Sequence, residues 1–263
     1  MDFGLRGKIA AIAGSSKGVG KAVAMGLAAE GMSVCVNGRD ADTVARTAGE
    51  IIARTGATVL ELPMDVATAA GAVSLVERTA AAFGGLDVLV TNAGGPRAGG
   101  FFELDDGDFE AAFQLNFMSA VRMIRAAVPH LKARGGGRIV NLQSTAIKQP
   151  VPLVTLTNSI RPGVTGLSKD LADELGPHNI TVNTILIGPT LTERLSYLLK
   201  ARARARDVPE EQIYAEFLDL VPMRRWGKPE EVASLAVYLA SAQAGWMTGT
   251  AIQVDGGRTR SAL

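Results

Sequence analysis

Ala13-Gly14-Ser15-Ser16-Lys17-Gly18-Val19-Gly20 is the stretch whose reading decides the fold. A short apolar run at 9–13 precedes it, and a segment with helical spacing at 21–30 follows. Val19, Val23 and Leu27 recur every four residues and so share one helix face. Gly31 then stands where a helix-ending glycine belongs. A glycine-rich turn between strand and helix lets backbone approach a pyrophosphate, and the helix start aims amide hydrogens at it. Gly14, Ser16, Lys17, Gly18, Val19 and Gly20 are therefore the candidate phosphate-binding residues. Glycines at such spacing also serve tight packing alone, but here the flanking strand and helix favour nucleotide binding.

Working outward, the run at 33–37 reads as a second strand, apolar enough to be buried on both faces. Asp40 is placed to cap a helix over 41–55, which Gly56 ends. Arg39 thus stands at the carboxyl end of the second strand. In dinucleotide folds an acidic residue near here binds the ribose 2′-hydroxyl, whereas an arginine accommodates a 2′-phosphate. With Lys17 as a second cation, Arg39 favours NADP(H) over NAD(H), the plain alternative being a solvated arginine. A third strand at 58–62 leads to Asp65 and Val66, where the carboxylate can meet an adenine amino group or cap the next helix.

A fourth strand at 87–91 runs into Asn92-Ala93-Gly94-Gly95. A long helix over 106–134 carries Asn116 near its middle, and a fifth strand at 138–142 delivers Gln143 and Ser144. A helical segment then reaches 175, a sixth strand covers 181–185, and a last strand at 251–254 ends in Asp255-Gly256-Gly257. This alternation predicts an α/β fold: one Rossmann-type doubly wound parallel sheet with helices on both faces. Ligands bind such sheets at the carboxyl ends of the strands. Residues 189–222 interrupt the pattern and read as a substrate lid with short helices of its own. Leu191, Leu195, Tyr197, Leu198 and Leu199 offer it an apolar wall. The basic run at 200–206 reads as a solvated face, with recognition of an anionic substrate tail as the alternative.

No linker, charge block or low-complexity run divides the 263 residues, so a single domain over 1–263 is expected. A net charge of +1 gives no reason to expect nucleic acid or an anionic membrane as partner. No run approaches the roughly 20 apolar residues of a membrane span, and residues 1–8 lack a signal-peptide core. The single cysteine, Cys35, lies in an apolar run and cannot form an internal disulfide. A reducing, cytoplasmic setting is the expectation. His130 and His178 are too scattered to suggest a metal site, and none is expected.

Taken together, the markers resemble the short-chain dehydrogenase/reductase family, and most of all its 3-oxoacyl-carrier-protein reductase-like members. They are Gly14/Gly18/Gly20, Asp65-Val66, Asn92-Ala93-Gly94, Asn116, the run at 138–141 leading to Ser144, Val182-Asn183, the run at 227–232, Thr248-Gly249 and the run at 254–257. The resemblance implies a sheet of about seven strands, a nicotinamide cofactor, a small carbonyl or alcohol substrate, and a homotetramer or dimer. It implies a catalytic Ser with an upstream Asn, matched by Ser144 and Asn116, and a carboxamide contact matched by Thr192.

It also implies a tyrosine thirteen residues after the serine and a lysine four further on. Those positions hold Thr157 and Arg161. A tyrosine with pKa about 10 can be lowered by a neighbouring ammonium until it exchanges protons near neutrality. A threonine hydroxyl is too weak an acid, and an arginine stays protonated, although it can hold ribose hydroxyls. Pro162 follows Arg161, so the helix is expected to start or kink there and to disturb the one-turn spacing. Lys148, Tyr197 or a water held by Ser144, Thr157 and Asn116 are the substitute proton donors. A bland reading makes Lys148 a loop lysine and Tyr197 an apolar contact. The alternative to an oxidoreductase is an inactive NADP(H)-binding sensor or oligomer partner.

Overall fold

The computed structural model describes residues 2–260. Its strands are β1 (Ile9–Ile12), β2 (Ser33–Gly38), β3 (Val59–Pro63), β4 (Val88–Thr91), β5 (Gly137–Ser144), β6 (Ile180–Ile187) and β7 (Ala251–Val254). They form one 7-stranded sheet in the order β3-β2-β1-β4-β5-β6-β7. Every pairing is parallel, as in Ala10 opposite Val88 and Ile139 opposite Val182.

Side chains alternate across a strand, and here both faces are apolar. Ala10, Ile12, Val34, Val36, Val88, Val90, Val140 and Leu142 enter one buried cluster. Their neighbours Ile9, Ala11, Cys35, Leu89 and Ile139 enter the other. Helices α1 (Gly18–Ala29), α2 (Ala41–Thr55) and α10 (Pro229–Ala240) cover the first face. The opposite face is covered by α3 (Ala69–Phe83) and α5 (Ser119–Ala133). Near-continuous apolar strands are what a sheet sandwiched between helices demands.

Local rules set several boundaries. Asp40 accepts a hydrogen bond from the Thr43 amide at 2.9 Å, and Gly56 closes α2 in the left-handed region. Thr68, not Asp65, caps α3. The helix expected over 106–134 is continuous but not uniform: α4 (Asp106–Phe113) passes through a π-helical turn, Gln114–Met118, into α5. Residues leading to Leu175 split into α6 (Thr155–Ile160) and α7 (Pro162–Leu175). The missing amide of Pro162 falls at the first position of α7, where no partner is needed.

Residues 189–222 fold into α8 (Glu193–Arg206) and α9 (Glu210–Asp219). They keep a separate small core of Leu195, Leu199, Ala203 and Ile213, against which Tyr214, Phe217 and Trp226 pack. Among the described residues no helix is long and apolar enough to cross a membrane.

Candidate active site

Strand order reverses between β1 and β4, and a cleft of about 820 Å³ opens there along the carboxyl edge of the sheet. One end is built by the glycine turn. Asn37, buried at the end of β2, holds it: its Oδ1 accepts from the Gly14 amide at 2.9 Å, and its carbonyl accepts from the Ser15 and Ser16 amides. The Asn37 side-chain amide donates to the Leu62 and Met64 carbonyls, tying β1, β2 and β3 together. Asn92 donates to the Gly14 carbonyl at 3.0 Å. Helix α1 then starts without a side-chain cap and without an acidic residue in its first turn. By contrast Asp40, Thr68 and Thr192 cap α2, α3 and α8. The amides of Gly18, Val19 and Gly20 are thus left for an anion. Gly20 must be glycine, because a Cβ there would stand 2.2 Å from the Gly14 carbonyl oxygen.

Arg39 is exposed at the cleft, and Asp65, Val66, Asn92, Ala93 and Gly94 line it. Lys17 also lines it, but its ammonium pairs with Glu193 of α8 at 3.1 Å. This ion pair is exposed at both ends, so breaking it costs little.

At the other end, β5 delivers Ser144, whose Oγ accepts from the Ala146 amide at 3.1 Å and keeps its proton free to donate. Thr157 lines the same space from α6. The Arg161 amide donates to the Thr157 carbonyl at 3.4 Å, so these two residues stand one helical turn apart despite Pro162. The disturbance expected from that proline falls downstream. Arg161 is buried and its guanidinium donates to Gln143 Oε1 at 3.1 Å, the Ala93 carbonyl at 3.2 Å and the Gly94 carbonyl at 3.3 Å. Burial, with the nearby Arg194 charge second, pulls its pKa down to about 10. It remains a cation at neutral pH. Asn116 sits in the π-helical turn, where its amide donates to the Gly94 carbonyl at 3.0 Å while its buried Oδ1 has no partner among the described residues. A buried acceptor of this kind is the place for an ordered water, and π-turns concentrate at such sites.

The family model described as enoyl-(acyl-carrier-protein) reductase matches residues 13–259. The chain is 33% identical over 265 residues to the uncharacterized oxidoreductase YvrD of Bacillus subtilis, covering 99% of this chain and 100% of that one. It is 34% identical to D-beta-hydroxybutyrate dehydrogenase of Rhizobium meliloti, with 96% and 98% covered. The chain belongs to the short-chain dehydrogenase/reductase family. Its fold superimposes on L-sorbose reductase of Gluconobacter frateurii, solved with NADPH and L-sorbose, with a TM-score of 0.93, 35% identity, and 99% and 100% covered.

This short-chain dehydrogenase/reductase brings most of the expected residues together. Gly14, Ser16, Lys17, Gly18, Val19, Gly20, Arg39, Asp65, Val66, Asn92, Ala93, Gly94, Ser144, Thr157, Arg161 and Thr192 all line the cleft. Lys148 does not. It is exposed at the end of a short 3-10 turn and does not line the cleft, which speaks against it as the proton donor there. Tyr197 is 48% exposed and outside the lining, its ring under the Arg194 guanidinium at 5.1 Å. Asn116 stands behind Gly94 rather than at the cleft surface. Of the expected apolar wall, Leu191, Leu195, Leu198 and Leu199 line the space.

Several cleft residues of this dehydrogenase/reductase escape sequence reasoning, Phe217 of α9 among them. Asn37 is marked only by being polar in an otherwise apolar strand. Arg194, whose Nη2 donates to the Pro96 carbonyl at 2.7 Å, bridges α8 to the loop after β4. Arg258, beyond the last strand, returns into the cleft, and no local pattern announces it.

Proposed function

We propose that the chain is an NADP(H)-dependent oxidoreductase that interconverts a carbonyl and an alcohol, with Thr157 and Arg161 in place of the family's tyrosine and lysine. One observation carries the reading: the uncapped start of α1 and the Ser144–Thr157–Arg161 group line the same cleft. The amides of Gly18–Gly20 bind the pyrophosphate, Arg39 the 2′-phosphate, and Asp65 with Val66 the adenine. The nicotinamide cofactor supplies or accepts the hydride.

The remaining work belongs to this chain's side chains. Ser144 donates a hydrogen bond to the substrate carbonyl oxygen, aided by Thr157. Arg161 fixes positive charge beside that oxygen and reaches the nicotinamide ribose, and Thr192 orients the carboxamide. The alcohol's proton comes from water: Ser144 passes its hydroxyl proton to the substrate oxygen and recovers one from a chain of solvent that ends at Asn116 Oδ1 behind Gly94. Residues 189–222 act as the lid, and the assembly is a dimer or tetramer, readable by light scattering.

The test is calorimetric titration with NADPH, followed by NADPH oxidation with small ketones. Tight binding and turnover are expected, and Ser144→Ala should reduce turnover by about 10²-fold, the lower range for losing an oriented donor. No binding of NADPH or NADP⁺ ends the proposal. Arg39→Ala should lower NADPH affinity by about tenfold with NADH affinity unchanged, because only a charge-assisted contact to the 2′-phosphate is lost. An unchanged ratio removes Arg39 from cofactor choice.

Proton handling without tyrosine has its own signature. Arg161 carries its charge below its lowered pKa and loses it as pH rises through about 10. Reduction should therefore stay level from roughly pH 6 to 9, where neither serine, threonine nor arginine titrates, and fall above that. A bell centred near neutrality means another group moves the proton.

A second reading is an inactive NADP(H)-binding sensor, favoured by the fact that no tyrosine lines the cleft among the described residues. It requires NADPH binding with no ketone turned over above background.

A further inference from the structure

The lid end of the cleft carries more positive charge than a nicotinamide needs. Arg194, Leu195, Leu198, Leu199 and Arg202 of α8 all line it, the 194, 198 and 202 positions being successive turns of one helix face. Arg202 is only partly exposed, donates to the Pro152 carbonyl at 2.9 Å, and stacks 4.9 Å from the Phe217 ring centroid. Arg258 reaches the same ring from the far side of the chain, 5.2 Å from its centroid, after the turn at Asp255-Gly256-Gly257.

Arg258 is 6% exposed, lines the cleft, and its buried Nε has no hydrogen-bond partner among the described residues. Asp255 is the one carboxylate felt by Arg258. Its oxygens accept from the Gly257 amide at 2.9 Å and the Thr259 amide at 2.8 Å, so it acts on Arg258 through its charge rather than as a paired partner. Among the described residues neither Arg202 nor Arg258 makes a salt bridge, whereas Arg97, Arg134, Arg206, Arg224 and Arg225 all do. Burial and mutual repulsion hold the Arg202 pKa below its ordinary value. Two neighbouring cations, one buried with an unused donor and both held against one aromatic ring, are kept at a cost that a bound anion offsets.

We propose that the substrate carries a carboxylate at the end remote from its carbonyl, bound by Arg202 and Arg258 over Phe217. This rests on the oxidoreductase reading and names its substrate class. A planar carboxylate fits the fork of a guanidinium, and the nearby Asp255 favours a monoanion over a phosphate dianion. Arg202 lies two turns beyond Arg194, about 12 Å along the helix at 1.5 Å per residue. Arg194 is the arginine whose charge reaches Arg161 at the reacting end. Leu195, Leu198 and Leu199 fill the interval, so the two ends of the substrate are joined by an apolar chain of several carbons.

The test compares 7-oxooctanoate with its methyl ester by calorimetry, on the protein alone and loaded with NADPH. The acid should bind at least about tenfold more tightly, the worth of one charge-assisted hydrogen bond. Arg258→Met and Arg202→Met should each erase that preference while leaving the ester's affinity in place. Arg202 is partly exposed, so Arg202→Met carries the test should Arg258→Met fail to fold. Equal binding of acid and ester, failure of the acid to bind, survival of the preference in the variant, or stronger binding of a phosphate monoester overturns the proposal. Failure of NADPH to bind instead ends the oxidoreductase reading, and the acid-to-ester ratio on the protein alone is read separately.

Discussion

Thr157→Tyr combined with Arg161→Lys raises ketone reduction by roughly 10²-fold or more, the range that a positioned general acid contributes. The register for the pair already exists, since the Arg161 amide bonds the Thr157 carbonyl across one helical turn. A phenol at 157 projects into the space that Thr157 lines beside Ser144. A lysine at 161 places a compact ammonium next to it, which acidifies the phenol toward neutrality. The cost is the loss of a planar fork that now serves Gln143, Ala93 and Gly94 at once. Thr157→Tyr alone keeps that fork and should give part of the gain. Turnover with NADPH and 7-oxooctanoate is the measurement, together with its pH profile, which should acquire a new limb near neutrality. If neither variant exceeds the parent protein, the Ser144–Thr157–Arg161 group is not where the proton is handled.

Gly20→Ala removes NADPH binding and lowers the melting midpoint by on the order of 10 °C. The added Cβ meets the Gly14 carbonyl oxygen at 2.2 Å and the Asn92 side-chain nitrogen at 2.9 Å, and the first of these is backbone. Overpacking of this kind costs typically 1–3 kcal/mol, at the top of the range where backbone must move. At roughly 2–4 °C per kcal/mol for a chain of this size, that gives the expected shift. Relief requires α1 to retreat from the glycine turn, which withdraws the Gly18–Gly20 amides from any phosphate. Gly49→Ala is the control, because a Cβ there meets nothing within 4 Å. Differential scanning fluorimetry and NADPH titration read both effects, and a Gly20→Ala protein that still binds NADPH would place the pyrophosphate elsewhere.

The fold was readable because its determinants are local. Apolar strand runs, the Asp40 cap, the Gly56 stop and the glycine turn each act within a few residues, and α2 has the bounds its sequence announces. Most of the glycine-turn end of the cleft follows, since loops at one sheet edge must share it. What tertiary packing decides was not readable. The π-helical turn at Asn116 leaves no mark in a helical repeat. Lys148 lies close to Ser144 in the chain, yet the 3-10 turn between them carries it to solvent. The threat posed by Pro162 vanished because the proline begins α7 rather than interrupting α6. Arg258 and Phe217 meet Arg202 only after the last strand has closed the sheet.

The helix pair α8–α9 rests on a cluster of four buried side chains of its own, while the sheet holds dozens. Free energy of local opening follows such numbers, so this pair detaches at a fraction of the cost of unravelling the whole. With this pair as the lid proposed above, substrate exchange waits on that opening, commonly a microsecond to millisecond event.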